Sequence, residues 1–149
     1  MRRLARVLTS IVLAVVAALH FAWARGSSFP FADHEALADS VVGTEAVPSS
    51  GACLAVASLL TLASALVADA PIGPRRLRRV GVATVAGVLA VRGVAGLSGR
   101  TDLLSPGSTS TRFRRLDHVL YSPLCLALAV GAASTLTVSR RTEPSRRLP

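Results

Sequence analysis

Arg92 stands inside VGVATVAGVLAVRGVAGL, residues 80–97, a stretch apolar and long enough to cross a bilayer. A guanidinium in such a span costs a few kcal/mol, so it must reach the headgroups, pair with a buried carboxylate, or receive a ligand. Five residues separate it from Leu97, about 7 Å of helix, so all three readings are open to it. The other chemistry-bearing residues stand near span ends: His20 and Trp23 in the first apolar block, Cys53 in the second, and Asp117, His118, Tyr121 and Cys125 in the fourth. His20, Trp23, Arg92, Asp117, His118 and Tyr121 form the candidate ligand-binding cluster. Each also has a plain reading: Trp23 and Tyr121 as interfacial belt aromatics, Asp117 as a helix N-cap, His20 as a hydrogen-bonded histidine.

Metal ligation by His20, His118 and a carboxylate lacks paired ligand spacing, and a haem between the two histidines would need both away from helix ends. No metal or other cofactor is therefore expected. Cys53 and Cys125 should differ in depth by about 7 Å, too far for a comfortable disulfide, and read as small apolar residues. Nucleophile elbow, P-loop, HExxH and dinucleotide fingerprints are absent from the sequence. The cluster thus suits a non-enzymatic bundle that binds or moves a small anionic or amphipathic ligand. The alternative is a small enzyme, metal-assisted or redox, using the His20, Asp117 and His118 region.

The elements that position these residues are four apolar blocks, at 4–24, 50–70, 80–97 and 117–138, each of a length that crosses a hydrocarbon core of roughly 30 Å. The fold class is all-α: a single polytopic membrane domain over 1–149, a four-transmembrane-helix bundle ending in a short polar tail, 139–149. The first block could also be a cleavable signal peptide, since Ala22-Trp23-Ala24 offers an A-x-A site, but its apolar run is long for that purpose. Asp33 is placed to cap a short surface helix that Gly43 stops, with Leu37, Val41 and Val42 toward the membrane. Arg75, Arg76, Arg78 and Arg79 read as a tight loop before the third span. Ser122 and Pro123 resemble a helix start, but a helix from there would be too short to cross, so Asp117 is the preferred cap with a kink near Pro123. Ala57, Thr61, Ser64 and Ala68 mark a packing stripe on the second span. Ala83, Ala86, Gly87, Ala90 and Gly93 give the third a small-residue face suited to a neighbour or a homodimer.

The charge of +9 comes from seventeen arginines and no lysine. They gather at the span ends, so they read as topology signals, and a nucleic-acid partner is not implied; the partner is the lipid bilayer. Eleven arginines fall on the side of the N-terminus, the 71–79 loop and the tail, against five on the other side. The expected location is the inner membrane, with both termini cytoplasmic and the 25–49 and 98–116 connections outside. Arginine and alanine in place of lysine suggest a GC-rich bacterial genome.

Three motifs carry a resemblance: HFAWARG at 20–26, RGVAGL at 92–97 and TRFRRLDHVLYSPLCLALA at 111–129. They resemble the bacterial membrane family catalogued as domain of unknown function three-nine-nine-five, over nearly the whole chain. The resemblance implies four spans and makes His20, Trp23, Arg92, Asp117, Tyr121, Pro123 and Cys125 family positions. Ala22, Arg25 and Ser27 depart from the family pattern. No reaction comes with it.

Overall fold

Three helices begin on a side-chain cap. Asp33 accepts the Ala36 amide at 2.8 Å, Ser49 the Ala52 amide at 3.2 Å and Ser110 the Phe113 amide at 3.1 Å. Each cap satisfies an N–H that the first turn leaves without a partner. The computed structural model describes residues 2–44, 48–100, 107–108 and 110–136. The caps open α2 (His34–Val41), α3 (Ser50–Val67) and α5 (Thr111–Leu116), which join α1 (Arg2–Ala24) and α4 (Arg75–Leu97). α5 continues through a π-helical turn, Asp117–Tyr121, into α6 (Ser122–Leu136). Among the described residues there is no strand, and the architecture is all-helical.

Among the described residues, four stretches are long and apolar enough to cross a membrane: α1 from Arg3, α3, α4, and the continuous run Thr111–Leu136. α1 packs along α3 and α4 along α6, and the two pairs join through α1 against α6 and α3 against α4. Leu13, Val67, Val82, Leu128 and Ala132 meet in the shared core. Ala57 is fully buried, and Ser64 Oγ donates to the Ser10 carbonyl at 2.8 Å, tying α3 to α1. The outside is as apolar as the inside, with Leu59, Val88 and Val130 63–70% exposed. On a water-soluble protein that perimeter would drive association, whereas hydrocarbon accepts it.

The structure alters three sequence expectations. Arg75, Arg76, Arg78 and Arg79 are not in a loop: the helix starts at Arg75 behind Pro74, because proline suits a helix start and arginine propagates a helix well. Asp117 is not a cap either. The fourth helix starts earlier, on Ser110, and Asp117 opens the π turn, where the Ser122 N–H reaches back to the Asp117 carbonyl. The wide turn stands where a plain helix would set the Pro123 ring against the Val119 carbonyl, so it takes the place of a simple proline kink. α2 forms where expected, from the Asp33 cap to a stop at Gly43 (φ +77°). It buries Leu37 and Ala38 and packs against α5, so its apolar face serves the protein and not the membrane surface. Residues 137–149, which include the expected end of the fourth span and the tail, lie outside the described residues.

Candidate functional site

The π turn decides where Asp117 points. In a regular α-helix, residues five apart face about 140° away from each other. Here both Asp117 and Ser122 lie against the same residue of α4, Gly96. A β-carbon on Gly96 would lie 2.6 Å from Asp117 Oδ2 and 2.9 Å from Arg92 Nη1, and would overlap Ser122 Oγ. Gly93, one turn earlier, is similarly pressed by Leu126 and the Ser122 carbonyl. Two glycines on one face therefore let α4 approach the fourth span closely enough for Arg92 to reach across. Arg92 Nη2 donates to Asp117 Oδ1 at 2.5 Å.

The pair is asymmetric. The Asp117 side chain is wholly buried, while Arg92 keeps 29% of its side chain exposed. The contact uses one nitrogen and one oxygen; Arg92 Nη1, Asp117 Oδ2 and Ser122 Oγ are buried without a hydrogen-bond partner. A donor, an acceptor and a hydroxyl that can be either thus surround the Gly96 backbone. Such atoms cost free energy when left unmade, so they mark a place where structure alone is not optimised.

The remaining candidates spread outward from this pair. Tyr121 Oη donates to the Ser40 carbonyl at 3.1 Å, fastening α2 to the fourth span. Its ring lies 6.4 Å from that of Phe113, which packs under Gly43. The Ser110 amide donates to the Gly43 carbonyl at 3.2 Å, so the 25–49 connection is latched twice. His20 Nδ1 lies 2.8 Å from the Val16 carbonyl, and its ring rests 4.7 Å from Trp23. Trp23 Nε1 donates to the Phe29 carbonyl at 2.7 Å, next to the cis Phe29–Pro30 peptide.

The six candidates do not converge on one point. Arg92 and Asp117 meet, Tyr121 stands one helical turn away in a latch, His20 and Trp23 form their own contact on α1, and His118 is exposed. His20, Asp117 and His118 do not form a ligand set, and among the described residues no three His, Cys, Asp or Glu side chains are grouped to hold a metal ion. Cys53 is buried and Cys125 half-buried, both as free thiols. Ser122, Gly96 and Ser40 belong to the site's structure but were not among its sequence candidates: Ser122 reads as a helix start and Gly96 as part of the RGVAGL motif, and only the π turn and the glycine contact show their place beside the ion pair.

Among the described residues, four membrane-length helices around an ion pair whose carboxylate is buried define a multi-pass membrane protein. Within that class the chain belongs to the family described as protein of unknown function, DUF3995, whose model matches residues 13–132. The match takes in every residue of the candidate cluster. No curated protein and no solved structure matches the chain.

Proposed function

We propose that this membrane protein is a non-enzymatic bundle that binds a small anionic or amphipathic ligand at the end bearing the 25–49 connection, with Arg92 as the receiving charge. The observation that carries the reading is the asymmetry of the pair: the carboxylate is sealed, and the cation is the partner that can be approached. An anion entering there would compete with Asp117 for a guanidinium whose Nη1 already lacks a partner. The proposal places the chain in a bacterial inner membrane with that end outside. It leaves Ala83 and Gly87, which face outward on α4, as the surface a second copy would meet.

The test uses purified protein in a neutral detergent, titrated with decanoate, decanol or decyltrimethylammonium while thermal unfolding and Trp23 emission are followed. Trp23 is the sole tryptophan and stands at the same end. A ligand that binds only the folded state raises Tm by mass action. Decanoate is expected to raise Tm and shift the emission, decanol and the cationic amphiphile to do neither, and Arg92→Gln to abolish the response. An equal effect of decanol, or an undiminished one in Arg92→Gln, would overturn the assignment.

A further inference from the structure

At the opposite end of the bundle, a cleft of about 570 Å³ opens among the ends of all four spans. Among the described residues Arg3, Arg6, Arg75, Arg78 and Arg79 line it, with Asp69 the one acid. Arginines at a span end are ordinarily accounted for by topology, which asks only that they sit in a loop on one side. These do more, because helices from different parts of the chain bring them round one concavity.

The start of α4 is an unfavourable place for such charges. α4 has no acidic residue in its first turn and instead carries Arg75 and Arg76 there, with Arg78 and Arg79 close behind. Cations are disfavoured at a helix N-terminus, where the backbone already presents partial positive charge, and like charges three or four residues apart repel. Asp69 relieves part of this, its carboxylate lying 3.2 Å from Arg78 Nη2 and 3.8 Å from Arg6 Nη1. It does so from a left-handed backbone conformation, φ +66°, that a residue with a side chain adopts at a cost. The Asp69 side chain is 59% exposed, so neither pair is strong. Arg78 Nε is buried without a partner. Val67 and Val82 form part of the cleft's lining and also belong to the bundle core, so the charged rim meets an apolar floor.

We infer that this cleft binds a phosphate-bearing anion, with the guanidiniums taking the phosphate oxygens and the helix N-terminus adding its own attraction. Arginine suits that role because its planar fork meets phosphate oxygens in pairs. The phosphate can come from the headgroup of an anionic lipid or from a soluble phosphate, and basic pockets between span ends are suited to the first. This site is separate from Arg92 and does not depend on the ligand proposed there.

Lipid retention is measured by native mass spectrometry of the full chain in neutral detergent, with phosphatidylglycerol, phosphatidylcholine, or inorganic pyrophosphate added. Wild-type protein is expected to retain phosphatidylglycerol over phosphatidylcholine. Competition by millimolar pyrophosphate would identify a soluble phosphate as an occupant, and its absence would assign the site to lipid. In Arg75→Gln/Arg79→Gln the affinity should fall about fivefold per arginine removed. Arg114→Gln/Arg115→Gln, which removes the same charge at the other end, and Arg92→Gln should leave it unchanged. Asp69→Asn removes the competing carboxylate and should tighten binding, a gain that a merely structural role would not give. Failure of the wild type to discriminate against phosphatidylcholine when pyrophosphate also fails to bind overturns the inference. So does equal loss in the two arginine double variants, or weakened binding in Asp69→Asn.

Discussion

Arg92 and Asp117 show why an ion pair in a membrane protein is better read by its unmade contacts than by its distance. Removing one partner leaves the other charge in an apolar surrounding, which typically costs about 3–5 kcal/mol for a buried pair. Each single variant is expected to lower Tm in detergent, and Arg92→Ala/Asp117→Ala to lose less than the sum of the two. Simple additivity in that cycle would show that the two side chains are not coupled. Ser122 makes a finer test. Its hydroxyl is buried without a partner, so Ser122→Ala should leave Tm unchanged or raise it by about 1 kcal/mol equivalent. A clear loss would mean that the hydroxyl is hydrogen-bonded in solution. Gly96→Ala should do the opposite, since its methyl would enter the space of Ser122 Oγ and the ion pair; overpacking of this kind costs about 1–3 kcal/mol.

The element that makes this geometry is the π turn, and it is also the element least visible beforehand. Apolar block length is enough to place four spans, because hydrocarbon thickness sets a minimum that no loop meets. The Asp33 cap and Gly43 stop of α2 were readable for a similar reason: each rests on one local hydrogen bond or one backbone angle. The π turn rests on neither. It stands just ahead of Pro123 and faces the glycines of α4 across the bundle, and a cap reading of Asp117 competes with it on equal terms. Helix rise puts Arg92 about one and a half turns from the end of its span and Asp117 at the start of the next, so depth alone makes Asp117 the best-placed carboxylate for it, but it does not single out Ser122 and Gly96 as their neighbours, since that contact exists only once two helices are in register. Burial of the Leu37 face of α2 escaped for the same reason, its cover being α5, which a start at Asp117 does not provide. That cover can be loosened selectively. Tyr121→Phe deletes the hydrogen bond to the Ser40 carbonyl while keeping the ring against Phe113. Amide exchange across residues 34–43 should accelerate several-fold with little change in global Tm. Unchanged exchange there would show that the Ser110 to Gly43 bond and the Leu37 contact hold α2 without it.

At the scale of the whole molecule, orientation governs what either end can meet, and charge is the expected determinant of it. The two ends of the bundle differ in kind as well as in number of arginines. One end gathers Arg3, Arg6, Arg75, Arg78 and Arg79 around a cleft, while the other carries Arg25, Arg100, Arg112, Arg114 and Arg115 beside α2 and the latched connection. Insertion retains the more basic short loops in the cytoplasm, so the cleft end is expected there, together with the N-terminus and residues 139–149. The basic run at 112–115 opposes this, and α5 offers a reason why it need not prevail. Thr111–Leu116 is folded as the first turns of the fourth helix, so those arginines flank the span itself and can lie in the headgroup region. Alkaline phosphatase and fluorescent-protein fusions at Pro149 and within 105–110 measure the outcome directly. Phosphatase activity is expected only from the 105–110 fusions, and fluorescence only from Pro149. Reversal of both signals would invert the molecule, placing the arginine cleft outside and the Arg92 site toward the cytoplasm. A sharper version moves charge and leaves the fold alone. Arg75→Gln/Arg76→Gln/Arg79→Gln spares Arg78 and its contact with Asp69 and lowers the count from eleven against five to eight against five. The fusion signals should then become mixed. If they stay fully polarised, charge is not what sets the orientation, and the latched connection between α1 and α3 becomes the element to test.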